Sequence, residues 1–268
     1  MRVKLNRERR DVAVEDLGDG IRRLCEFGFV NCFLVEGSEK ACLIDAGVGI
    51  AEMDAVVRSL TDKPLIVLIT HAHADHVGGA VWFPEVRIHP ADLKRGRIYA
   101  HPAARLYFLA CHRYKRVSHG VRFSDAFQRK YKPAFRLLED GETIDLGGRE
   151  ITCVLTPGHS PGSVIFRDSL TGTVFAGDNV NPMVTLHYPG GTTVRTWIDG
   201  AERTLETAAG ATIWGGHGDS PVAHETIREA IGLARSLTAA GNGTSGKTGV
   251  KKGPEKYPRI LYKKNRIV

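Results

Sequence analysis

The sequence predicts a mixed α/β protein in which two β-sheets pack on each other with helices outside. Short apolar runs rich in β-branched residues have the length of strands, and several of them end on Gly, Asp or Pro. Other segments repeat apolar residues at intervals of three and four, as amphipathic helices do. The strands come in runs with helices between the runs, which favours two packed sheets over one doubly wound sheet.

The size and composition are those of an ordinary globular protein. The chain has 268 residues, 42% of them hydrophobic and 25% charged, which allows one large domain or two small ones with a sizeable core. The basic start lacks an apolar segment of signal-peptide length, and nowhere do about eighteen apolar residues follow one another. We therefore expect a soluble cytoplasmic protein.

Eight segments read as strands and three as helices. The predicted strands are, in chain order, VNCFLVEG, KACLIDAG, PLIVLIT, VRIHP, REITCVLTPG, SVIFRD, GTVFAGD and ATIWGG. The predicted helices are IAEMDAVVRSL, WIDGAERTLETAA and PVAHETIREAIGLARSL. The five cysteines are scattered and form no C-x-x-C pair, so we expect buried reduced thiols instead of a disulfide framework or a cysteine-based zinc site.

The domain organisation follows from composition. We expect one domain over residues 1–240, with a helical insert at about 90–135, followed by a basic Gly-rich linker and tail over 241–268. The tail holds eight Lys or Arg and one acid, so the net charge of +7 is concentrated there. Contact with nucleic acid or another anionic partner and a solvated extension both remain open. The closing YPRILYKKNRIV could dock as a short strand.

The stretch THAHADHVGG, residues 70–79, follows an apolar run and concentrates potential metal ligands. In an extended segment His71 and His73 point to the same side, so both imidazoles can reach one ion. Asp75 and His76 follow where the chain should turn into a helix, and they can face a second ion. Four fixed positions of these residue types indicate a metal site more strongly than they indicate histidines buried for packing.

Three further candidate ligands lie in strand-end loops with glycine beside them. His159 occurs in LTPGHSPGS, Asp178 in VFAGDNV and His217 in IWGGHGDSP. Strand ends hold side chains rigidly while the loops admit substrate, and glycine allows close approach of the backbone. Together with the first cluster they supply five histidines and two aspartates, enough for two adjacent ions.

This pattern resembles the metallo-β-lactamase superfamily, whose hallmark is H-x-H-x-D-H followed by a histidine, an aspartate and a last histidine at strand ends. The resemblance covers roughly residues 11–238. It implies a four-layer αβ/βα sandwich with a dinuclear metal site in the cleft between the sheets. By position, the first metal would be bound by His71, His73 and His159, the second by Asp75, His76 and His217, and both by Asp178. Such ligands suit zinc best, while iron and manganese remain open.

The resemblance also implies a chemistry. A hydroxide shared by the two metals would attack a thioester, ester or lactone carbonyl, and Asp75 would orient the attacking water in addition to binding metal. The bridging Asp178 separates the chain from true β-lactamases, and Asn181 stands where the similar lactonases have tyrosine. A thioesterase or lactonase is therefore the expected class. A mononuclear iron persulfide dioxygenase and a phosphodiesterase or nuclease are the alternatives.

The segment over residues 85–136 is the predicted specificity element. From Arg87 to Arg136 it holds thirteen Lys or Arg against two acids, and apolar residues recur at helical spacing between positions 103 and 117. A helix with one apolar and one basic face over a metal cleft could hold a small substrate with an anionic head and an apolar body; the alternative is a solvated basic face. The candidate substrate residues are Tyr107, Arg113, Tyr114, His187 and Tyr188. No membrane partner is expected, nucleic acid is disfavoured, and the oligomeric state is open.

Overall fold

The computed structural model describes residues 12–111, 121–240, 248–253 and 258–268. The chain divides into two compact units. The first consists of Met1–Leu138 and Thr143–Ile151, and the second of Glu139–Glu142 and Thr152–Val268. Each unit has its own buried apolar core.

The first unit is built on a seven-stranded sheet with the order β1-β2-β3-β4-β5-β6-β7. Its strands are β1 (Val12–Gly18), β2 (Ile21–Glu26), β3 (Val30–Glu36), β4 (Ala41–Ile44), β5 (Leu65–Leu68), β6 (Glu85–Ile88) and β7 (Ala134–Leu137). Neighbours from β1 to β4 are antiparallel, and neighbours from β4 to β7 are parallel. Strands β3 and β4 are buried on both faces, which explains their nearly continuous apolar sequences.

Short helices follow the parallel strands of this sheet. They are α1 (Met53–Arg58), α2 (Ala74–Val77), α3 (Pro90–Tyr99) and α4 (Pro102–Cys111), with 3-10 segments at Gly78–Trp82 and Phe123–Phe127. Helix α3 has proline at its start, where the missing N–H costs nothing, and the His89 side chain accepts the Ala91 N–H. Helices α3 and α4 lie in the predicted helical insert at about 90–135, together with the 3-10 segment Phe123–Phe127.

A buried carboxylate organises the loop after β4. Glu26, fully buried at the end of β2, accepts hydrogen bonds from the N–H groups of Val48 (2.6 Å), Ile50 (3.1 Å) and Ala51 (2.8 Å). Burial raises the pKa of Glu26 to about 7, although these N–H donors lower it. The carboxylate therefore fixes a loop whose backbone donors have no strand to pair with.

Glycine allows this loop to touch the end of the histidine-rich stretch. Gly49 has φ +87°, and a Cβ at Gly49 would lie 2.4 Å from the Gly78 carbonyl oxygen. A Cβ at Gly79 would lie 1.9 Å from the Ala46 carbonyl oxygen. A Cβ at Gly78 would lie 2.2 Å from the Val48 carbonyl oxygen. These distances are shorter than van der Waals contact, so close packing between this loop and the 3-10 segment requires both glycines of THAHADHVGG.

The remaining strands form two smaller sheets. They are β8 (Thr143–Asp145), β9 (Glu150–Leu155), β10 (Val164–Asp168), β11 (Val174–Phe175), β12 (Met183–Thr185), β13 (Ile213–Trp214), β14 (Thr248–Lys252) and β15 (Arg259–Lys263). One sheet has the order β13-β11-β10-β9-β8 and the other β12-β15-β14. Every one of the eight segments predicted as strands contains a strand, while β1, β2, β7, β8, β12 and β14 were not predicted.

Two long helices cover the core of the second unit. They are α5 (Val194–Ala208) and α6 (His224–Ala240), and both match predicted helices. The Thr193 side chain caps α5 by accepting the Thr196 N–H, and Trp197 is fully buried in the core. Residues of the predicted basic tail belong to the same unit, since β15 pairs in parallel with β12 and Ile260 is fully buried.

None of the five cysteines, all within the described ranges, forms a disulfide. Cys32, Cys42 and Cys153 are buried, and burial raises the pKa of Cys153 to about 12. Cys25 is half-buried and Cys111 is exposed at the end of α4, so the expectation of burial fails for these two. None of the helices in the described ranges is both long and apolar enough to span a bilayer.

The pKa of Glu26 makes the stability of the first unit pH-dependent. Between pH 4.5 and about 7 the native state holds a proton that the unfolded state releases, so the contribution of Glu26 falls as pH rises through this window. We expect wild type to lose about 3 kcal/mol relative to Glu26→Gln over this range, measured by denaturant unfolding at several pH values. Glu39→Gln, on an exposed turn, is the control. If the unfolding free energies of Glu26→Gln and wild type changed in parallel with pH, the raised pKa of Glu26 would be contradicted.

Candidate metal centre

The first unit places His71, His73, Asp75 and His76 together after strand β5. His73 is the extended residue that precedes α2, and Asp75 and His76 lie on that helix, as the sequence predicts. His71 and His76 are buried, with ring centroids 4.2 Å apart, and the His71 and His73 centroids are 4.8 Å apart. We call residues 71–76 the ligand loop.

Asp45 supports the ligand loop, and the sequence analysis did not find it. Its Oδ2 lies 2.7 Å from His76 Nδ1, and its Oδ1 accepts the Thr70 N–H at 2.8 Å. The Thr70 hydroxyl lies 3.0 and 2.8 Å from the two carboxylate oxygens and 3.1 Å from His71 Nδ1. The hydroxyl therefore donates to Asp45 and accepts the Nδ1 proton of His71.

The parallel pairing of β4 and β5 brings Asp45 to this position. Ile44 pairs with Leu68, and the Asp45 N–H donates to the Leu68 carbonyl oxygen at 2.8 Å. The carboxyl ends of the two strands thus meet at one edge of the sheet. Asp45 adopts φ +62°, a left-handed conformation that is strained for a residue with a Cβ. The sequence signal that could have identified Asp45 was an aspartate near the end of the predicted strand KACLIDAG.

Helix α3 holds the ligand loop from the other side. The carboxylate of Asp92, in the first turn of α3 and fully buried, accepts the Ala72 N–H at 2.8 Å. Ala72 lies between the two histidines of the H-x-H pair, so this bond fixes the extended backbone that turns both rings to one side. Tyr99, at the end of α3, has its ring centroid 6.2 Å from that of His73.

The second unit contains the other three predicted ligands, and in it His159 and His217 lie close to Asp178. His159 Nε2 lies 3.7 Å from Asp178 Oδ2, and His217 Nε2 lies 3.2 Å from the Asp178 carboxylate. His159 is 1% exposed and Asp178 is 8% exposed, whereas His217 is half-buried. One carboxylate thus lies close to two imidazoles.

Backbone and amide groups fix this second cluster. His159 Nδ1 lies 2.7 Å from the Thr185 carbonyl oxygen, and the His159 N–H donates to Asn179 Oδ1 at 3.2 Å. Asn181 Nδ2 donates to Asp178 Oδ1 at 3.0 Å. The Trp197 indole donates to the Asn179 carbonyl oxygen at 2.7 Å. The sequence analysis noted Asn181 only as a departure from the lactonases and missed Asn179 and Thr185.

The donor set fits divalent metal ions. His71, His76 and His159 each place Nδ1 against an oxygen that accepts its proton, which leaves Nε2 as the nitrogen able to bind a metal. His71 Nε2 and His73 Nδ1 lie 3.2 Å apart. Two ligand nitrogens on one tetrahedral zinc ion are separated by about 3.3 Å when each bond is about 2.0 Å. The hydrogen bonds therefore leave Nε2 of His71, His76 and His159 available to a metal ion.

The predicted substrate residues have different surroundings. The rings of His187 and Tyr188 lie 4.3 Å apart, and Tyr188 contacts the His159 ring edge to face at 6.2 Å. Burial lowers the pKa of His187, and the nearby cations Lys263 and Arg266 lower it further. Tyr107 is 73% exposed on α4. Arg113 and Tyr114 lie outside the described residues.

Comparison with known proteins shows the family. A sequence profile of the metallo-beta-lactamase superfamily matches residues 25–230, and the chain belongs to that superfamily. Acyl-coenzyme A thioesterase MBLAC2 of Homo sapiens is 31% identical over 215 residues, which cover 72% of this chain and 75% of the relative. The Gallus gallus protein of the same name is 31% identical over 212 residues with the same coverage.

Solved structures agree with this assignment. The crystal structure of TTHA1623 in a di-iron-bound form is 30% identical, has a TM-score of 0.54, and covers 73% of this chain and 90% of its own. The DIM-1 metallo-beta-lactamase exposed to ceftazidime is 16% identical with a TM-score of 0.58, covering 85% of this chain and 99% of its own, and shows the fold alone. The predicted mixed α/β fold class is confirmed, and the chain is a metal-dependent hydrolase.

Asp45→Asn should weaken metal binding without unfolding the chain. The amide cannot accept both the His76 proton and the Thr70 donors, so the two rings lose their fixed orientation. We expect zinc affinity, measured by competition with a chelator, to fall about 10–100-fold. Asp19→Asn is a matched control, since Asp19 also has positive φ (50°) but lies on an exposed turn. Equal affinities for both variants would show that Asp45 does not support metal binding.

Proposed function

We propose that the chain is a dinuclear metal-dependent thioesterase acting on an acyl thioester of coenzyme A. The metal chemistry is supported by one observation. Three buried histidines direct Nδ1 at an oxygen of Asp45, Thr70 or Thr185, which leaves Nε2 of each ring for a metal ion. The substrate class is supported by the two thioesterase relatives, which share 31% of aligned residues over nearly three quarters of the chain. A thioester is therefore preferred over the ester and lactone substrates also expected from the sequence.

The proposal assigns the seven predicted ligands to two ions. The first would be held by His71, His73 and His159, the second by Asp75, His76 and His217, with Asp178 shared by both. The position of the Asp178 carboxylate beside both His159 and His217 supports the shared role. Imidazole and carboxylate ligands suit zinc. The di-iron form of TTHA1623 supports iron as the alternative, and manganese remains a prediction.

Bound ions and side chains would have different roles in the proposed mechanism. Two bound divalent ions would lower the pKa of a water molecule and polarise the carbonyl group under attack. Asp75, whose side chain is 15% exposed and lies 3.8 Å from His76 Nε2, would orient the attacking water and accept its proton. Tyr188 and His187, beside His159, would contact the acyl group. The buried hydrogen bonds to the histidines keep the rings from reorienting during turnover.

The experiment is a substrate panel on the purified, metal-loaded protein. An acyl-coenzyme A, a p-nitrophenyl ester, an acyl-homoserine lactone and a phosphodiester are compared by kcat/KM, and oxygen consumption is followed with a persulfide. The proposal predicts that the thioester is hydrolysed with the largest kcat/KM. Preferential phosphodiester cleavage, or oxygen consumption with a single iron, would favour one of the alternatives named above. Cytoplasmic location stays a prediction.

Asp178→Ala should remove turnover while the fold persists. Loss of the shared carboxylate should lower kcat/KM for the thioester by about 100-fold or more, because both ions lose a ligand. The control is Asp219→Ala, an exposed aspartate two residues after His217, which should retain activity. Circular dichroism checks that both variants fold. Near wild-type activity of Asp178→Ala would mean that Asp178 is not a metal ligand.

A further inference from the structure

A cavity of about 640 Å³ lies in the first unit, between the end of α3, the start of α4 and strand β7. This volume is within the range of about 300–1,000 Å³ typical of small-molecule sites. The cavity is lined by Val81, Arg97, Ala100, His101, Pro102, Arg129, Tyr131, Lys132, Pro133, Ala134 and Phe135. We call it the α3–α4 cavity.

The floor of the α3–α4 cavity is apolar. Val81 and Ala100 are buried, and the rings of Tyr131 and Phe135 and two prolines complete the apolar lining. Lys130 lies over the Tyr131 ring, 5.6 Å from its centroid. A surface made of rings and small side chains can accept a flat aromatic group in van der Waals contact.

The rim of the α3–α4 cavity is cationic. Arg97, Arg129 and Lys132 line it with no acidic residue among the lining groups. Over the described ranges these three side chains form no ion pair, whereas the neighbouring Lys130 pairs with Asp54 at 2.7 Å. His101 Nδ1 accepts the Ala103 N–H at 3.2 Å, which leaves the ring proton on Nε2 as a further donor. Unneutralised cations around a concave apolar surface favour an anionic ligand.

The cavity walls are held in place by buried hydrogen bonds. The N–H groups of Lys130 and Tyr131 donate to the Val81 carbonyl oxygen at 3.1 and 2.8 Å. Arg105, fully buried on α4, donates to the carbonyl oxygens of Gly49 and Gln128, each at 2.8 Å. The backbone that carries Arg129 and Lys132 is thus fixed on both sides, so a ligand would have only their side chains to order.

Two elements that line the α3–α4 cavity are connected to the ligand loop. Ala100 follows Tyr99, whose ring lies 6.2 Å from that of His73. Val81, on the cavity floor, belongs to the 3-10 segment that directly follows α2, the helix of Asp75 and His76. A ligand anchored in the cavity by one end could therefore extend a flexible arm towards the ligand loop.

We infer that the α3–α4 cavity binds the phosphorylated nucleotide of the thioester's carrier group. The choice of ligand rests on the proposed thioesterase function. The purine and ribose would lie on the apolar floor, and the phosphates would pair with Arg97, Arg129 and Lys132. The nucleotide remote from the reacting carbonyl would thereby supply binding energy that positions the thioester.

The test compares two substrates with the same acyl thioester. One is an acyl-coenzyme A, and the other is the acyl thioester of N-acetylcysteamine, which lacks the nucleotide. The variant Arg129→Ala/Lys132→Ala should lose on the order of 10–100-fold in kcat/KM for the first substrate, mainly through KM, because two charge-assisted contacts disappear. Its kcat/KM for the short thioester should stay within about twofold of wild type.

A matched control removes the same charge elsewhere. Lys94→Ala/Arg136→Ala deletes two exposed cations of α3 and β7 that do not line the cavity, and should leave both substrates unaffected. If kcat/KM for the coenzyme A substrate fell equally in both double variants, the loss would be an effect of net charge, and the inference would be overturned. Unchanged turnover of the coenzyme A substrate by Arg129→Ala/Lys132→Ala would overturn it as well, while hydrolysis of both thioesters by wild type would leave the proposed function intact.

Direct binding separates this inference from the proposed function. Calorimetric titration with adenosine 3′,5′-bisphosphate should show binding to wild type and to Asp178→Ala, and at least tenfold weaker binding to Arg129→Ala/Lys132→Ala. Absence of thioester hydrolysis together with this binding pattern would refute the proposed function but support a nucleotide site. Absence of binding to wild type, or equal binding to the double variant, would refute the cavity assignment.

Discussion

The carboxylate of Asp45 is the group on which the ligand loop depends. It accepts a hydrogen bond from His76 Nδ1, and it orients His71 through the Thr70 hydroxyl. One imidazole, one hydroxyl and one N–H group thus contact this buried carboxylate, and the hydroxyl links a second imidazole to it. The two contacts to ring Nδ1 atoms leave Nε2 as the nitrogen that can bind a metal. The strained φ of Asp45 is consistent with a residue held in place by its partners.

A second buried carboxylate, that of Glu26, supports the hydrogen bonds around Asp45. Glu26 holds the loop that follows Asp45, and that loop packs backbone to backbone against Gly78 and Gly79. The histidine-rich stretch is thereby confined between this loop and Asp92 of α3. Because these neighbours are buried carboxylates and closely packed backbone, with little room to adjust, a change at one contact should displace the histidines.

Much of the fold could be predicted, and the candidate ligands could be named, because the signals for both are local. Alternation and β-branched runs identified eight strands, and a single stretch of ten residues carried four candidate ligands. The supporting groups could not be predicted in this way. Asp45 acts on residues 25 and 31 positions away, and Thr185 contacts His159 across 26 positions, so their roles depend on strand pairing that composition does not encode. The α3–α4 cavity likewise combines positions 81 to 135.

Metal content tests the central claim most directly. The protein should be purified without chelators or a metal-affinity tag, dialysed, and measured by inductively coupled plasma mass spectrometry against protein concentration. The account predicts close to two zinc or iron ions per chain, and fewer in Asp45→Asn because its histidines are less well oriented. A single ion per chain in wild type, or none after reconstitution with excess metal, would contradict the dinuclear assignment.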